Sequence, residues 1–163
     1  MPEYSFDVVS QYDRQELTIA VDQARREIAT RFDFKGTNPS VDLRKDTIMV
    51  EASTEDRARA VVQVLVEKAA RRSLSGKLFA PGEPKTVGKG RGQIEVALNA
   101  GISEDLARSL QKKAREVSPK VQVRIQGDQL RVVSKEKDAL QAVIARLRED
   151  DTIPVPLQFV NRR

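Results

Sequence analysis

Val41-Asp42-Leu43-Arg44-Lys45-Asp46-Thr47-Ile48-Met49-Val50 decides how this chain is read. Val41 and Leu43 alternate with polar residues, Lys45-Asp46 makes a tight turn, and Ile48 and Val50 resume the alternation, which is the pattern of a β-hairpin with one buried face. The same pattern returns 82 residues later as Val123-Arg124-Ile125-Gln126-Gly127-Asp128-Gln129-Leu130-Arg131-Val132. The echo runs on into the following helix, where Ala60, Val61, Val62 and Leu65 fall on Ala142, Val143, Ile144 and Leu147. A self-match of this length marks a duplication.

Working outward, Tyr4–Val9 reads as a strand with Phe6 and Val8 on one face. Asp13, with Glu16 three positions on, reads as a helix N-cap. Leu17, Ala20, Val21, Ala24 and Ile28 then recur at helical spacing to about Thr30. In the second copy Ile94, Val96 and Leu98 make the strand. Ser103 caps the helix, and Leu106, Leu110 and Ala114 line its inner face. Here the best offset is 88 or 89, placing Phe6 and Val8 on Ile94 and Val96, and Leu17 and Val21 on Leu106 and Leu110. Leu78-Phe79 reads as an edge strand, and Pro156–Val160 closes the chain as another.

Each copy is thus a β-α-β-β-α-β unit, and the fold class is α+β: two ferredoxin-like (split βαβ) domains, each an antiparallel sheet with two helices on one face. The expected boundaries are 1–80 for the first unit, 81–92 for a Pro/Gly/Lys linker and 93–163 for the second. The pattern leaves open whether a terminal strand pairs with the sheet of the other half.

The change of offset implies six or seven added residues between the first helix and its hairpin, in the stretch Arg31–Asn38. Its core, Arg31-Phe32-Asp33-Phe34-Lys35-Gly36-Thr37, reads as an alternating strand. Phe32 and Phe34 would share one face, with Arg31, Asp33 and Lys35 on the other and Gly36 allowing close backbone approach. An addition to a repeat falls where the two copies are used differently.

Composition narrows the chemistry. The 163 residues contain no Cys and no His, which removes disulfides, thiolate nucleophiles, imidazole triads and thiol or imidazole zinc sites. No carboxylate spacing indicates a catalytic pair or a magnesium site, so no catalytic residue, metal or cofactor is assigned. No apolar run approaches the ~20 residues of a membrane span and no signal pattern opens the chain, so a cytoplasmic protein is expected. The formal net charge is +5. All of the excess lies between Arg71 and Gly92, where six cations face one acid, Glu83.

Three stretches are candidates for ligand contact. Gly88-Lys89-Gly90-Arg91-Gly92 lacks the spacing of a phosphate-binding loop and leads into a strand rather than a helix, so it reads first as a flexible linker. The hairpin turn Gln126-Gly127-Asp128-Gln129, flanked by Arg124 and Arg131, combines amides, a carboxylate and guanidiniums suited to a base edge and a phosphate, although a solvated sheet face has the same composition. Arg31–Gly36 is the third. The signature of RNA-recognition modules, a basic residue and a glycine followed by closely spaced aromatics, is absent from the strands.

Ser5-Phe6-Asp7-Val8-Val9-Ser10, Arg31–Thr37, Gln126–Val132, Asp138–Ile144 and Pro156-Leu157-Gln158-Phe159 together resemble the YajQ-like bacterial nucleotide-binding proteins over essentially the whole chain. The resemblance implies a cytosolic, non-enzymatic protein of two ferredoxin-like domains. It implies as ligands purine nucleotides, RNA and, in some members, a cyclic dinucleotide. Two departures stand out: Gln11 replaces a common acid, and Asn161-Arg162-Arg163 lacks an aromatic that relatives carry between Asn and Arg.

The leading expectation is a regulatory nucleotide-binding protein that holds GTP, ATP or cyclic diguanylate in an inter-domain crevice. Arg31, Lys35, Arg124 and Arg131 would take phosphate, Phe32 or Phe34 would stack, and Asp33, Gly36, Gln126 and Asp128 would complete the site. The alternative is an RNA-associated module that uses the basic 71–91 segment through Lys85, Lys89 and Arg91. A carboxylate enzyme built on Asp33 and Asp128 is the least supported reading. Neither a protein partner nor an oligomeric state follows from the sequence.

Overall fold

A computed structural model describes residues 3–163. In chain order the elements are β1 (Tyr4–Val9), α1 (Arg14–Thr30), β2 (Ser40–Leu43), β3 (Thr47–Ala52), α2 (Glu55–Arg71), β4 (Phe79–Pro81), β5 (Lys85–Val87) and β6 (Arg91–Leu98). Then follow α3 (Glu104–Val117), β7 (Gln122–Gln126), β8 (Gln129–Ser134), α4 (Lys137–Glu149) and β9 (Gln158–Val160). Among the described residues no helix is long and apolar enough to cross a membrane.

The caps at Asp13 and Ser103 form where the sequence puts them, and Thr54 caps α2 in the same way. Asp13 accepts from the N–H groups of Gln15 and Glu16, Thr54 from that of Arg57, and Ser103 from that of Leu106. These bonds satisfy amides that the first helical turn leaves without partners.

The strands form two antiparallel sheets, ordered β7-β8-β1-β9 and β2-β3-β6-β4, with β5 also paired to β6. Each sheet has the ferredoxin-like strand order with two helices packed on one face, so the expected architecture is observed. The chain divides differently from the expected boundaries, however. One unit is the continuous segment Tyr12–Asn99; the other is split, joining the chain up to Gln11 with Ala100–Arg163.

The reason is a trade of first strands. Phe6 pairs with Val132 and Val8 with Leu130 in β8, while Ile94 pairs with Val50 and Val96 with Ile48 in β3. The residues matched by the 88-residue offset therefore occupy equivalent places in opposite copies. Residues 81–92 are consequently no inter-domain linker. β5 bonds to β6, and the turn Gly88–Gly90 carries Lys89 at φ 61° and Gly90 at φ 73° into the strand.

Each unit buries its own hydrophobic core. In the continuous unit Leu17, Val21, Ile48, Val50, Val61 and Leu65 are fully enclosed; in the split unit Phe6, Val8, Leu110, Leu130, Val132 and Val143 are. Burial in the helices also corrects the repeat register. Val21, Ala24 and Ile28 of α1 match Ala107, Leu110 and Ala114 of α3, an offset of 86. Measured against 82 in the hairpins, four more residues separate the matched positions of α1 and β2 than those of α3 and β7, fewer than the offset of 88 or 89 implied.

Both copies protect an edge strand in the same way. Arg25 of α1 donates from Nε and Nη2 to the Val41 carbonyl of β2, at 2.8 and 2.5 Å. At the matching place in the split unit, Gln111 Nε2 donates to the Val123 carbonyl of β7 at 2.9 Å. An outward carbonyl already bonded to a side chain is unavailable to a foreign strand.

Candidate functional site

The stretch Arg31–Gly36 is not the strand its alternation suggests. Phe32–Phe34 forms a single 3-10 turn, closed by bonds from the Phe34, Lys35 and Thr37 amides to the carbonyls of Arg31, Phe32 and Phe34. The Arg31 guanidinium grips Asp33 through Nε at 3.0 Å and Nη2 at 2.8 Å across the turn. The two rings separate: Phe34 is buried at 2% exposure and Phe32 stands 91% exposed. Gly36 leaves the turn at φ 75° and Asn38 at φ 51°, left-handed conformations that Gly and Asn adopt most readily.

Three arginines hold this connector. Arg31 lies over the Phe34 ring at 5.1 Å, and Arg57, from the first turn of α2, lies over it at 6.0 Å. Arg57 Nη1 is 4.0 Å from Asp33 Oδ2, yet it is buried without a hydrogen-bond acceptor. Arg91 donates from Nη1 to the Thr37 carbonyl at 2.9 Å, from Nη2 to the Asn38 carbonyl at 2.7 Å and from Nε to Glu51 at 2.8 Å. The Arg31 guanidinium beside Asp33, with Arg57 behind it, holds the Asp33 carboxyl below the usual carboxylate range.

Between the end of α1 and this connector lies a cleft of about 520 Å³, within the range of small-molecule sites. Ile28, Ala29, Phe34, Pro39 and Val41 supply apolar wall, and Arg25, Lys35, Asn38 and Ser40 supply polar groups. No carboxylate lines it, and Lys35 is exposed. Phe34, Lys35 and Gly36 of the sequence candidates therefore line the cleft. Arg31 and Asp33 stand behind the Phe34 ring as supports, and Phe32 points into solvent.

The second group of candidates belongs to the split unit. Arg131 lies opposite Arg124 in the β7–β8 ladder, and Gln126, Gly127 and Asp128 form the exposed turn. Arg131 is committed elsewhere: it donates from Nε at 2.9 Å and Nη2 at 3.3 Å to Asp7, which is 1% exposed. Asn161 completes this cluster, donating to Asp7 at 2.8 Å, and these bonds keep the Asp7 carboxyl below its usual range. Arg124 has no ion pair among the described residues.

The basic segment is partly spent as well. Arg91 belongs to the connector, and Arg72 pairs with Glu16 at 2.6 Å. Lys85 and Lys89 remain exposed on the β5–β6 hairpin. Sequence reasoning missed Arg25 and Arg57. Neither sits in a motif; their positions follow only from packing of α1 and α2 against the connector.

Known proteins match the chain over nearly its whole length. The family model described as nucleotide-binding protein YajQ-like matches residues 4–163. A protein of Chloroflexus aurantiacus named a nucleotide-binding protein is 50% identical over 162 residues, covering 99% of this chain and 98% of the relative. One from Trichodesmium erythraeum with the same name is 47% identical over 159 residues, covering 98% and 97%. A third, from Parafrankia, is named a nucleotide-binding protein and is 46% identical over 164 residues, covering all of both chains. The chain belongs to the YajQ-like nucleotide-binding protein family.

Proposed function

We propose that this chain is a non-enzymatic, regulatory protein that binds a purine nucleotide or cyclic dinucleotide in the cleft beside Phe34–Val41. The observation that carries this reading is the cleft itself, which is built from the connector that one copy of the repeat extends and is free of carboxylates. The base lies against Ile28, Phe34 and Pro39. Lys35 neutralises phosphate, and Gly36, with no side chain, lets a phosphate reach the backbone. The names borne by the relatives support the ligand class.

Calorimetric titration with GTP, ATP, cyclic diguanylate and a short single-stranded RNA, at two salt concentrations, tests it. Saturable one-site binding of one nucleotide, weakened about tenfold by Lys35→Ala (~1.4 kcal/mol), is the expected result. Nucleotide binding that Lys35→Ala leaves unchanged contradicts this site. Binding of RNA alone, falling steeply with salt and lost with Lys85 and Lys89, would move the function to the β5–β6 hairpin.

A further inference from the structure

The repeat supplies an internal control for a second place in the molecule. Strand register makes Tyr4 of β1 the equivalent of Gly92 of β6, since Tyr4 pairs with Ser134 and Gly92 with Ala52 at the matching positions of β8 and β3. The helices that follow those strands begin at Lys137 and Glu55, again matched.

In the continuous unit this corner is closed. A Cβ on Gly92 would run into the backbone of Thr54 and Glu55, so α2 begins directly against the strand. Thr86 of β5 then donates to Glu55 at 2.5 Å and seals the corner with an acidic residue.

In the split unit the same corner is open, with Tyr4 where the glycine was. A cavity of about 360 Å³ lies between β1 and α4, floored by Phe6, Leu140 and Ile144. The chain after β9 closes its far side. Asn161 takes φ 53°, and Ser5 and Arg163 then exchange backbone hydrogen bonds at 3.1 and 2.9 Å, which carries Arg162 and Arg163 to the rim.

The charge is reversed along with the shape. Lys137, standing where Glu55 stands, lines the cavity with Arg162 and Arg163, and no Asp or Glu side chain does. Gln141 and Tyr4 add an amide and a phenol. Lys137 and Arg162 have no ion pair among the described residues, and all three cations are exposed. An apolar floor rimmed by three cations selects a compact anion with an apolar or planar body.

The geometry points to a second ligand site here, distinct from the connector cleft, that takes a phosphomonoester carried on such a body. The anionic group meets Lys137 and Arg162, and the body rests on Leu140 and Ile144. Two sources share this chemistry: a nucleoside monophosphate and a non-nucleotide phosphomonoester.

The test is methyl and amide NMR titration of the full chain with adenosine monophosphate, phenyl phosphate and inorganic phosphate, repeated on Lys137→Ala, Arg162→Ala and Lys35→Ala. Saturable shifts of the Leu140 and Ile144 methyls are expected with at least one organic phosphate. Either rim substitution, Lys137→Ala or Arg162→Ala, should weaken that binding at least fivefold, and Lys35→Ala should not change it. The tighter of the two organic ligands identifies the source. The site is overturned if those methyls do not move, if the rim substitutions have no effect, or if inorganic phosphate binds as tightly as either organic ligand. Failure of the connector cleft would appear separately, as nucleotide binding indifferent to Lys35→Ala.

Discussion

The continuous and split units have the same strand order, the same helix placement and the same sealed edge strand, yet each opens where the other is closed. Beyond α1, a nine-residue connector (31–39) spans to β2 and makes a cleft; beyond α3, residues 118–121 reach β7 directly. At the start of the second helix Gly92 shuts one corner, and Tyr4 leaves the equivalent corner open. The aliphatic positions that build the sheets tolerate little variation between copies, because a one-residue slip would turn every core side chain to the wrong face. Connector length and one strand-end residue are free of that constraint, so the copies diverge there.

Substitution at the closed corner should produce the largest effect. Gly92→Ala puts a methyl group into backbone that cannot move aside and should cost about 3 kcal/mol, read from chemical denaturation. Tyr4→Ala, at the open corner, should cost less, and equal costs would remove the contrast.

Next comes the buried carboxylate of the split unit. Arg131→Ala leaves Asp7 with Asn161 and only the weaker attraction of Arg163, and because Arg131 is partly exposed the loss should be about 2 kcal/mol. Asp7 and Asp150 both have carboxyls held below the usual range, Asp7 by Arg131 and Asp150 by Lys113. Their contribution to stability is complete above the unfolded carboxyl value of about 3.9 and is lost as pH falls through the lower folded values. Melting temperature should therefore drop below about pH 4, and Arg131→Ala should flatten that drop. An unchanged acid profile in the variant would mean Asp7 is not the group titrating.

Smaller still are the edge seals. Arg25→Ala and Gln111→Ala each remove a donor from an edge carbonyl that water can then reach, so each should cost about 1 kcal/mol in thermal or denaturant unfolding. Only Arg25→Ala should also alter nucleotide affinity, since Arg25 lines the connector cleft. Phe32→Ser should be smallest for stability, within about 0.5 kcal/mol, because the ring is solvated. Nucleotide affinity lost with Phe32→Ser would place a stacking contact outside the cleft.

Much of the fold is legible in the sequence because its signals are local and periodic. The hairpins around Lys45-Asp46 and Gly127-Asp128, the caps at Asp13 and Ser103, and the duplicated pattern all appear as read. The exchange of β1 and β6 is not legible, because Phe6 and Ile94 present the same apolar face to either sheet. The connector misleads for a different reason. Phe-Asp-Phe alternates like a strand, but the Arg31–Asp33 grip and the bonds between residues three apart favour a turn. Of the candidate ligand residues, Lys35 and Gly36 fall on a cleft, while Arg91 and Arg131 are held by partners more than 35 residues away. Such partners leave no trace in spacing.

The most direct test of the connector cleft is amide and methyl shift mapping of the full chain with the nucleotide that calorimetry selects. Saturable shifts concentrated at Ile28, Ala29 and residues 34–41, with one affinity for all of them, are the expected result. Shifts confined to Lys85–Arg91, or to the Gln126–Arg131 turn, with residues 34–41 unmoved, would contradict it.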